Sequence, residues 1–212
     1  YGYGGQKCSA TSRVYVQSEV KAPFIALLKA RVEQLVVGDP RRREVSVGPL
    51  INQSAMERFT RAVEDASNSG GSIISGGHVL NTGRLPTGYY VEPTVIADLP
   101  SNHRLFRDEL FVPLLVVDKF KTLDEALEKA NDTEYGLTAG IFTEDQEEIQ
   151  KFMDEVQFGV TYANRKGGAT TGSWPGAQTF VGWRASGATG RGVGGPNYLL
   201  NFVREQSQTT VS

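Results

Sequence analysis

The chain of 212 residues contains one cysteine, Cys8, and two histidines, His78 and His103, far apart in sequence. A single cysteine excludes an intrachain disulfide, which fits a reducing compartment. Cysteine and histidine are not grouped at metal-ligand spacing, so no structural zinc or other metal is expected. Charge of one sign is not in excess. Twenty-two basic residues face 24 acidic ones, for a formal net charge of -2. The basic footprint of a nucleic-acid binder is therefore missing. The only basic run, Arg41-Arg42-Arg43, reads as a solvated loop in preference to an anion site. Long apolar runs are absent too. None reaches the roughly 18 residues that a membrane span needs, and no leader-like segment opens the chain. The expectation is a cytoplasmic protein with neither membrane nor nucleic acid as a partner.

What is present is enough for a core: 39% of the residues are apolar. Residues 13–17 alternate and are β-branched, which predicts a strand. Residues 20–37 predict a helix with Phe24, Leu27, Leu28, Val32 and Leu35 on one face, stopped by Gly38-Asp39-Pro40. A second amphipathic helix spans 53–67 and ends at Asn68-Ser69-Gly70-Gly71. Short strands follow at 72–75 and 91–96, around a polar loop. Residues 114–120 form an almost continuously apolar, β-branched run, suited to a buried parallel strand. Thr122 and Glu125 have the spacing of a capping box for a helix reaching Asn131. Strand 137–143, helix 144–156 and strand 158–162 complete the alternation. This order predicts the α/β class, a mostly parallel sheet flanked by helices. Beyond Asn164 the pattern dissolves. Residues 165–196 read as a long loop, a feature often functional in compact domains, and 198–204 as a short apolar strand. The chain thus divides into an α/β domain, 1–164, and a loop-rich C-terminal arm, 165–212.

The lone cysteine lies in Gly4-Gly5-Gln6-Lys7-Cys8-Ser9-Ala10. Thiolate is the reactive form of cysteine and is favoured beside a cation such as Lys7. Glycines let the backbone turn sharply, and the N–H groups of such a turn can hold an oxyanion. A small buried hydrophobe is the other reading of Cys8. Glu109 likewise reads either as a surface carboxylate or as a site residue. Tyr162 and Asn164 fit a site wall or a core tyrosine with a loop asparagine. Phe180 and Trp174 fit a substrate pocket or ordinary packing.

Four segments, in order, carry a family resemblance. Gly5-Gln6-Lys7-Cys8-Ser9-Ala10 resembles the active-site cysteine motif of aldehyde dehydrogenases. Arg107-Asp108-Glu109-Leu110-Phe111-Val112-Pro113 is similar to that family's Glu-Glu-(Ile/Leu)-Phe-Gly-Pro segment, with Val112 in place of the glycine. The stretch from Asn131 to Thr143 resembles its Asn-x-x-x-Tyr-Gly-Leu-x-Ala strand. The stretch from Phe180 to Gly187 resembles its Pro-Phe-Gly-Gly-x-x-x-Ser-Gly loop, with Thr179 and Val181 as departures. Within the family, Asn164-Arg165-Lys166-Gly167-Gly168 and Gly194-Gly195-Pro196-Asn197-Tyr198-Leu199 resemble the 1-pyrroline-5-carboxylate (glutamate-γ-semialdehyde) dehydrogenases.

The resemblance implies a set of roles. Cys8 is the nucleophile. Glu109 holds the nicotinamide-ribose hydroxyls and Phe111 packs by the nicotinamide of NAD or NADP. Ser9, Gly194 and Gly195 hold the carboxylate of a small-molecule aldehyde, since a hydroxyl and bare backbone N–H groups bind a carboxylate without a charged side chain. Phe180 walls the pocket. The implied reaction is oxidation of glutamate γ-semialdehyde to glutamate. The resemblance also implies what this stretch does not contain: the N-terminal dinucleotide-binding domain, a pyrophosphate-binding turn, and the general-base glutamate of a Glu-Leu-Gly-Gly segment. A truncated or split product, inactive alone, is expected. Its partner would be the missing half or further copies of the chain, because the family's C-terminal strand joins a neighbouring subunit. A fold kept for a structural or oligomerisation role is the alternative.

Overall fold

In a computed structural model, residues 1–81, 85, 87–165, 173–174, 176–188 and 191–212 are described. They form two compact units, Tyr1–Thr133 and Glu134–Ser212.

The first unit is built on a four-stranded sheet ordered β1-β4-β3-β2. Its strands are β1 (Arg13–Gln17), β2 (Ser72–Ser75), β3 (Thr94–Ala97) and β4 (Leu114–Phe120). β4 runs parallel to both β1 and β3, and β2 closes the edge antiparallel. The apolar run of β4 is continuous because the strand is covered on both faces. Its alternate side chains divide between two clusters. Leu115 and Val117 join Val95 and Ala97 of β3 beneath helix α1 (Lys21–Val32). Leu114 and Val116 join Ile96 beneath helix α2 (Gln53–Asn68). On α2 the inward residues are Ala55, Phe59, Ala62 and Ala66, all fully buried. Small residues there bring the helix close to the sheet, and Phe59 fills the remaining volume. Truncating such a phenylalanine costs about 3–5 kcal/mol.

Helix ends follow their sequence signals where a side chain can act locally. The Asn52 side chain accepts from the Ala55 N–H at 2.9 Å to begin α2. The Gly71 N–H returns to the Ala66 carbonyl at 2.8 Å to end it. Helix α3 (Leu123–Asn131) starts at Thr122, whose Oγ1 accepts from the Glu125 N–H at 3.3 Å. The Glu125 carboxylate reaches the Lys121 N–H at 2.9 Å, one residue before the cap.

In the first unit, three expectations are corrected. Helix α1 ends at Val32 and not at 37. The β-branched pair Val36-Val37 leaves the helix, Val37 bridges Val47, and the Val36 carbonyl accepts from Ser46 and Val47. Leu27 is 70% exposed, and Ile25 takes its place on the buried face. Strand β3 starts at Thr94 and not at 91, because Pro93 has no N–H to give to a ladder.

The second unit holds β5 (Tyr135–Gly136), β6 (Thr138–Ile141), helix α4 (Gln146–Glu155), β7 (Val160–Ala163) and β8 (Trp183–Arg184). β6 and β7 are parallel with α4 as their crossover, and β5 pairs antiparallel with β8. The stretch expected as a final strand is instead a 3-10 helix, Tyr198–Phe202. The Asn201 side chain donates to the Tyr198 and Gly192 carbonyls, and the rings of Tyr198 and Phe202 meet edge-on at 5.3 Å. These local contacts hold the turn. Among the described residues, no helix is long and apolar enough to cross a membrane.

Candidate active site

Cys8 sits at the second position of a β-turn closed by the Ala10 N–H donating to the Lys7 carbonyl at 2.9 Å. Its side chain is exposed, so the small-buried-hydrophobe reading falls away. The Cys8 N–H donates to no described acceptor and is free to meet an incoming oxygen. Gln6 anchors the turn. Its side chain donates to the Pro49 carbonyl at 3.4 Å and accepts from the Ile51 N–H at 2.8 Å. The neighbouring Ser9 Oγ is buried and has no hydrogen-bond partner. A buried hydroxyl left unpaired costs about 1–3 kcal/mol, so such a group marks either a strain reservoir or a place for a ligand.

Gly5 brings this turn against the Glu109 segment. Its φ is +71, and a Cβ there would overlap the Val112 carbonyl and lie 2.9 Å from the Pro113 nitrogen. Only glycine fits that approach. Just before Val112, Phe111 has φ 56, a conformation costly for a bulky aromatic residue. Its ring remains 38% exposed. Between Phe111 and Glu109, the Leu110 side chain packs on the core and its carbonyl accepts from Arg58 Nε of α2 at 3.2 Å. Glu109 is an exposed residue, yet protein atoms around its carboxyl displace part of its water, and that desolvation raises its pKa. The segment is also tethered upstream: Arg104 bonds Asp65 and Asp108, and Arg107 pairs with Asp132.

The second unit assembles the other candidate group. Phe180 and Val193 exchange backbone hydrogen bonds at 2.9 Å in an antiparallel bridge. This sets Phe180 beside the strand of chain entering Gly194 and Gly195. Those glycines have φ values of +72 and +74, and their N–H groups donate to no described acceptor. A Cβ on Gly195 would lie 2.9 Å from the Thr179 nitrogen. The departure from proline at 179 therefore falls where the glycine turn is most crowded. Two bare N–H groups on successive residues are thus open to an acceptor.

The residues with two open readings have local partners. The Asn164 side chain is committed to Thr143, accepting from its N–H at 3.0 Å and donating to its carbonyl at 2.8 Å. Tyr162 lies over Gly140, where a Cβ would collide with its ring. Trp174 is exposed, with the Arg165 guanidinium 5.8 Å from its ring centre. Gly167 and Gly168 lie outside the described residues. Arg41 and Arg42 of the basic run pair with Asp39 and Glu44, as a solvated loop would. The role of Arg58 left no trace in any motif: it is a mid-helix arginine whose partner is 52 residues away. No group of three potential metal ligands exists among the described residues.

The first unit thus carries an exposed cysteine on a turn whose Gly5 abuts Val112, next in sequence to the left-handed Phe111. The aldehyde dehydrogenase family model matches residues 1–207, and the chain belongs to that family. It is 34% identical over 210 residues to a 1-pyrroline-5-carboxylate dehydrogenase of Bacillus subtilis (strain 168), covering 99% of this chain and 39% of that protein. Against the Geobacillus sp. (strain WCH70) protein of the same name, identity is 36% over 207 residues, with 98% and 38% covered. The chain therefore spans about two-fifths of the length of these relatives. Among solved structures, lactaldehyde dehydrogenase from Escherichia coli superposes with a TM-score of 0.85 at 33% identity, covering 96% of this chain and 40% of that one. Betaine aldehyde dehydrogenase from Staphylococcus aureus in complex with NAD+ gives a TM-score of 0.86 at 29% identity, with 95% and 39% covered.

Proposed function

We propose that this chain is the cysteine-bearing catalytic part of an NAD(P)-dependent aldehyde dehydrogenase that oxidises glutamate γ-semialdehyde to glutamate, with Cys8 as nucleophile. The observation carrying this reading is the exposed Cys8 on its turn, locked by Gly5 against the segment bearing Glu109 and Phe111. In the proposed reaction the Cys8 thiolate adds to the aldehyde carbon. A C–S bond forms, and the carbonyl electron pair moves onto oxygen, where the Cys8 N–H meets it. Splitting a hard step in this way is the advantage of covalent catalysis. Glu109, with its acceptor oxygens, and the exposed face of Phe111 suit a ribose diol and a flat ring. A nicotinamide bound there would accept the hydride. The thioester left on Cys8 is then open to water, activated by a base that the described residues do not include.

Substrate choice rests on Ser9 and on Gly194 and Gly195. In this reading, as the family resemblance implies, Ser9, Gly194 and Gly195 hold the substrate carboxylate and Phe180 lines the aliphatic chain; the unpartnered Ser9 hydroxyl supports the first of these roles. Residues 165–212 serve as substrate anchor and C-terminal arm, through which copies of the chain associate in a cytoplasmic oligomer. Their exposed apolar residues, Leu199 at 73% and Phe202 at 71%, support that role. The test fuses the chain to the N-terminal part of a 1-pyrroline-5-carboxylate dehydrogenase. NAD reduction is then compared for glutamate γ-semialdehyde and an uncharged aldehyde of equal length. The expected result is a preference for the semialdehyde that Ser9→Ala reduces through KM. Equal use of both aldehydes, unchanged by Ser9→Ala, overturns the substrate assignment.

A further inference from the structure

We infer that Arg58 is a positioning residue for the cofactor-facing segment, holding Phe111 in its left-handed conformation by fixing the Leu110–Phe111 peptide plane. The inference rests on the reading that Glu109 and Phe111 face a nicotinamide cofactor. Phe111 has φ 56, and the peptide plane on its N-terminal side carries the Leu110 carbonyl. Rotating that plane changes ψ of Leu110 and φ of Phe111 together, in opposite senses. A carbonyl free to rotate lets Phe111 relax to a negative φ, which its Cβ favours. Arg58 prevents this. Its Nε donates to the Leu110 oxygen at 3.2 Å, from a helix whose neighbouring residues Ala55, Phe59 and Ala62 are fully buried. The guanidinium thus joins a rigid element to the one backbone group that sets the strained torsion. On the other side, the Val112 carbonyl accepts from the Leu114 N–H at 2.8 Å and abuts Gly5. Phe111 is therefore gripped before and after, and only the first grip depends on a side chain. A planar, charged donor suits it, because a charge-assisted bond outlasts a neutral one in competition with water.

The flip would do more than turn the ring. Glu109 and Phe111 flank the same carbonyl, so releasing it moves both groups offered to the cofactor. Misplacement on that scale costs affinity and rate out of proportion to the bond lost.

Nuclear magnetic resonance on the 212-residue chain labelled at phenylalanine tests this directly. A residue at φ near +60 holds its amide and α protons close, so Phe111 gives a strong intraresidue NH–Hα cross-peak. Arg58→Met and Arg58→Gln are expected to weaken that cross-peak while leaving the Phe59 and Phe106 signals dispersed, and Arg58→Lys to restore part of it. Nicotinamide mononucleotide is expected to shift Phe111 in the unsubstituted chain, with affinity weakened on the order of tenfold in Arg58→Met. An unchanged Phe111 cross-peak in both the Met and Gln variants overturns the positioning role, even if the mononucleotide binds. A mononucleotide that leaves Phe111 unmoved in the unsubstituted chain overturns the cofactor reading itself. The two failures are thus distinguishable.

Discussion

Gly5 and Val112 are in backbone contact so close that a Cβ on Gly5 would stand 2.5 Å from the Val112 carbonyl carbon. The first lies three residues before Cys8, the second directly after Phe111. Gly5→Ala is expected to destabilise the chain by about 1–3 kcal/mol, since both the positive φ and the contact oppose a side chain. Urea unfolding gives the magnitude. The alkylation rate of Cys8 in the folded variant reports whether the turn has moved as well.

Ser9 predicts the opposite sign. Its buried Oγ has no partner in the free chain. Ser9→Ala removes an unsatisfied group, so stability is expected to stay level or rise by up to about 1 kcal/mol. A loss above about 1 kcal/mol in denaturant unfolding would show that the hydroxyl has a structural partner instead.

Acid weakens the start of α3. The Glu125 carboxyl is held below its ordinary value of 4.5, first by Lys129 and then by the Lys121 N–H. A depressed carboxylate contributes stability above its unfolded value, lost as pH falls through the folded one. Titrating thermal stability downward from pH 4.5 should therefore show a loss that Glu125→Gln diminishes. Because Glu125 is solvent-exposed the effect is small, and equal acid profiles for the two chains would remove Glu125 from the account.

Leu199 and Phe202 of the final 3-10 helix, and Val203 just after it, are 73%, 71% and 60% exposed. Burying apolar side chains of this size stabilises by about 1.5–3 kcal/mol each. Sedimentation is expected to show concentration-dependent association that disappears in a chain ending at Pro196. Two monomers of equal compactness would dismiss the arm as an interface.

Legibility from sequence followed the range of the interaction. The run 114–120 announced a buried parallel strand because burial on both faces leaves a composition signal, and Thr122 and Gly70 marked helix ends through contacts a few residues away. Helix α1 was overextended because its end is set by a bridge from Val37 to Val47, a pairing no local pattern encodes. The 198–204 stretch has strand-like composition, but strands need partners, and here the Asn201 and aromatic contacts decide. Cys8, Ser9, Glu109 and Phe111 were singled out through motifs. The Arg58–Leu110 bond and the Gly5–Val112 contact were not, because both join segments more than fifty residues apart.

The most direct test of the central claim is the rate of NAD reduction by glutamate γ-semialdehyde in the fused polypeptide, with Cys8 and with Cys8→Ser. If Cys8 is the nucleophile, the substitution abolishes turnover by on the order of a thousandfold or more while leaving the fold and cofactor affinity intact. Iodoacetamide should inactivate the parent protein in step with modification of Cys8, its thiol being exposed. A Cys8→Ser protein that retains activity within about tenfold would contradict the account, because a serine without a neighbouring base cannot replace a thiolate at that rate.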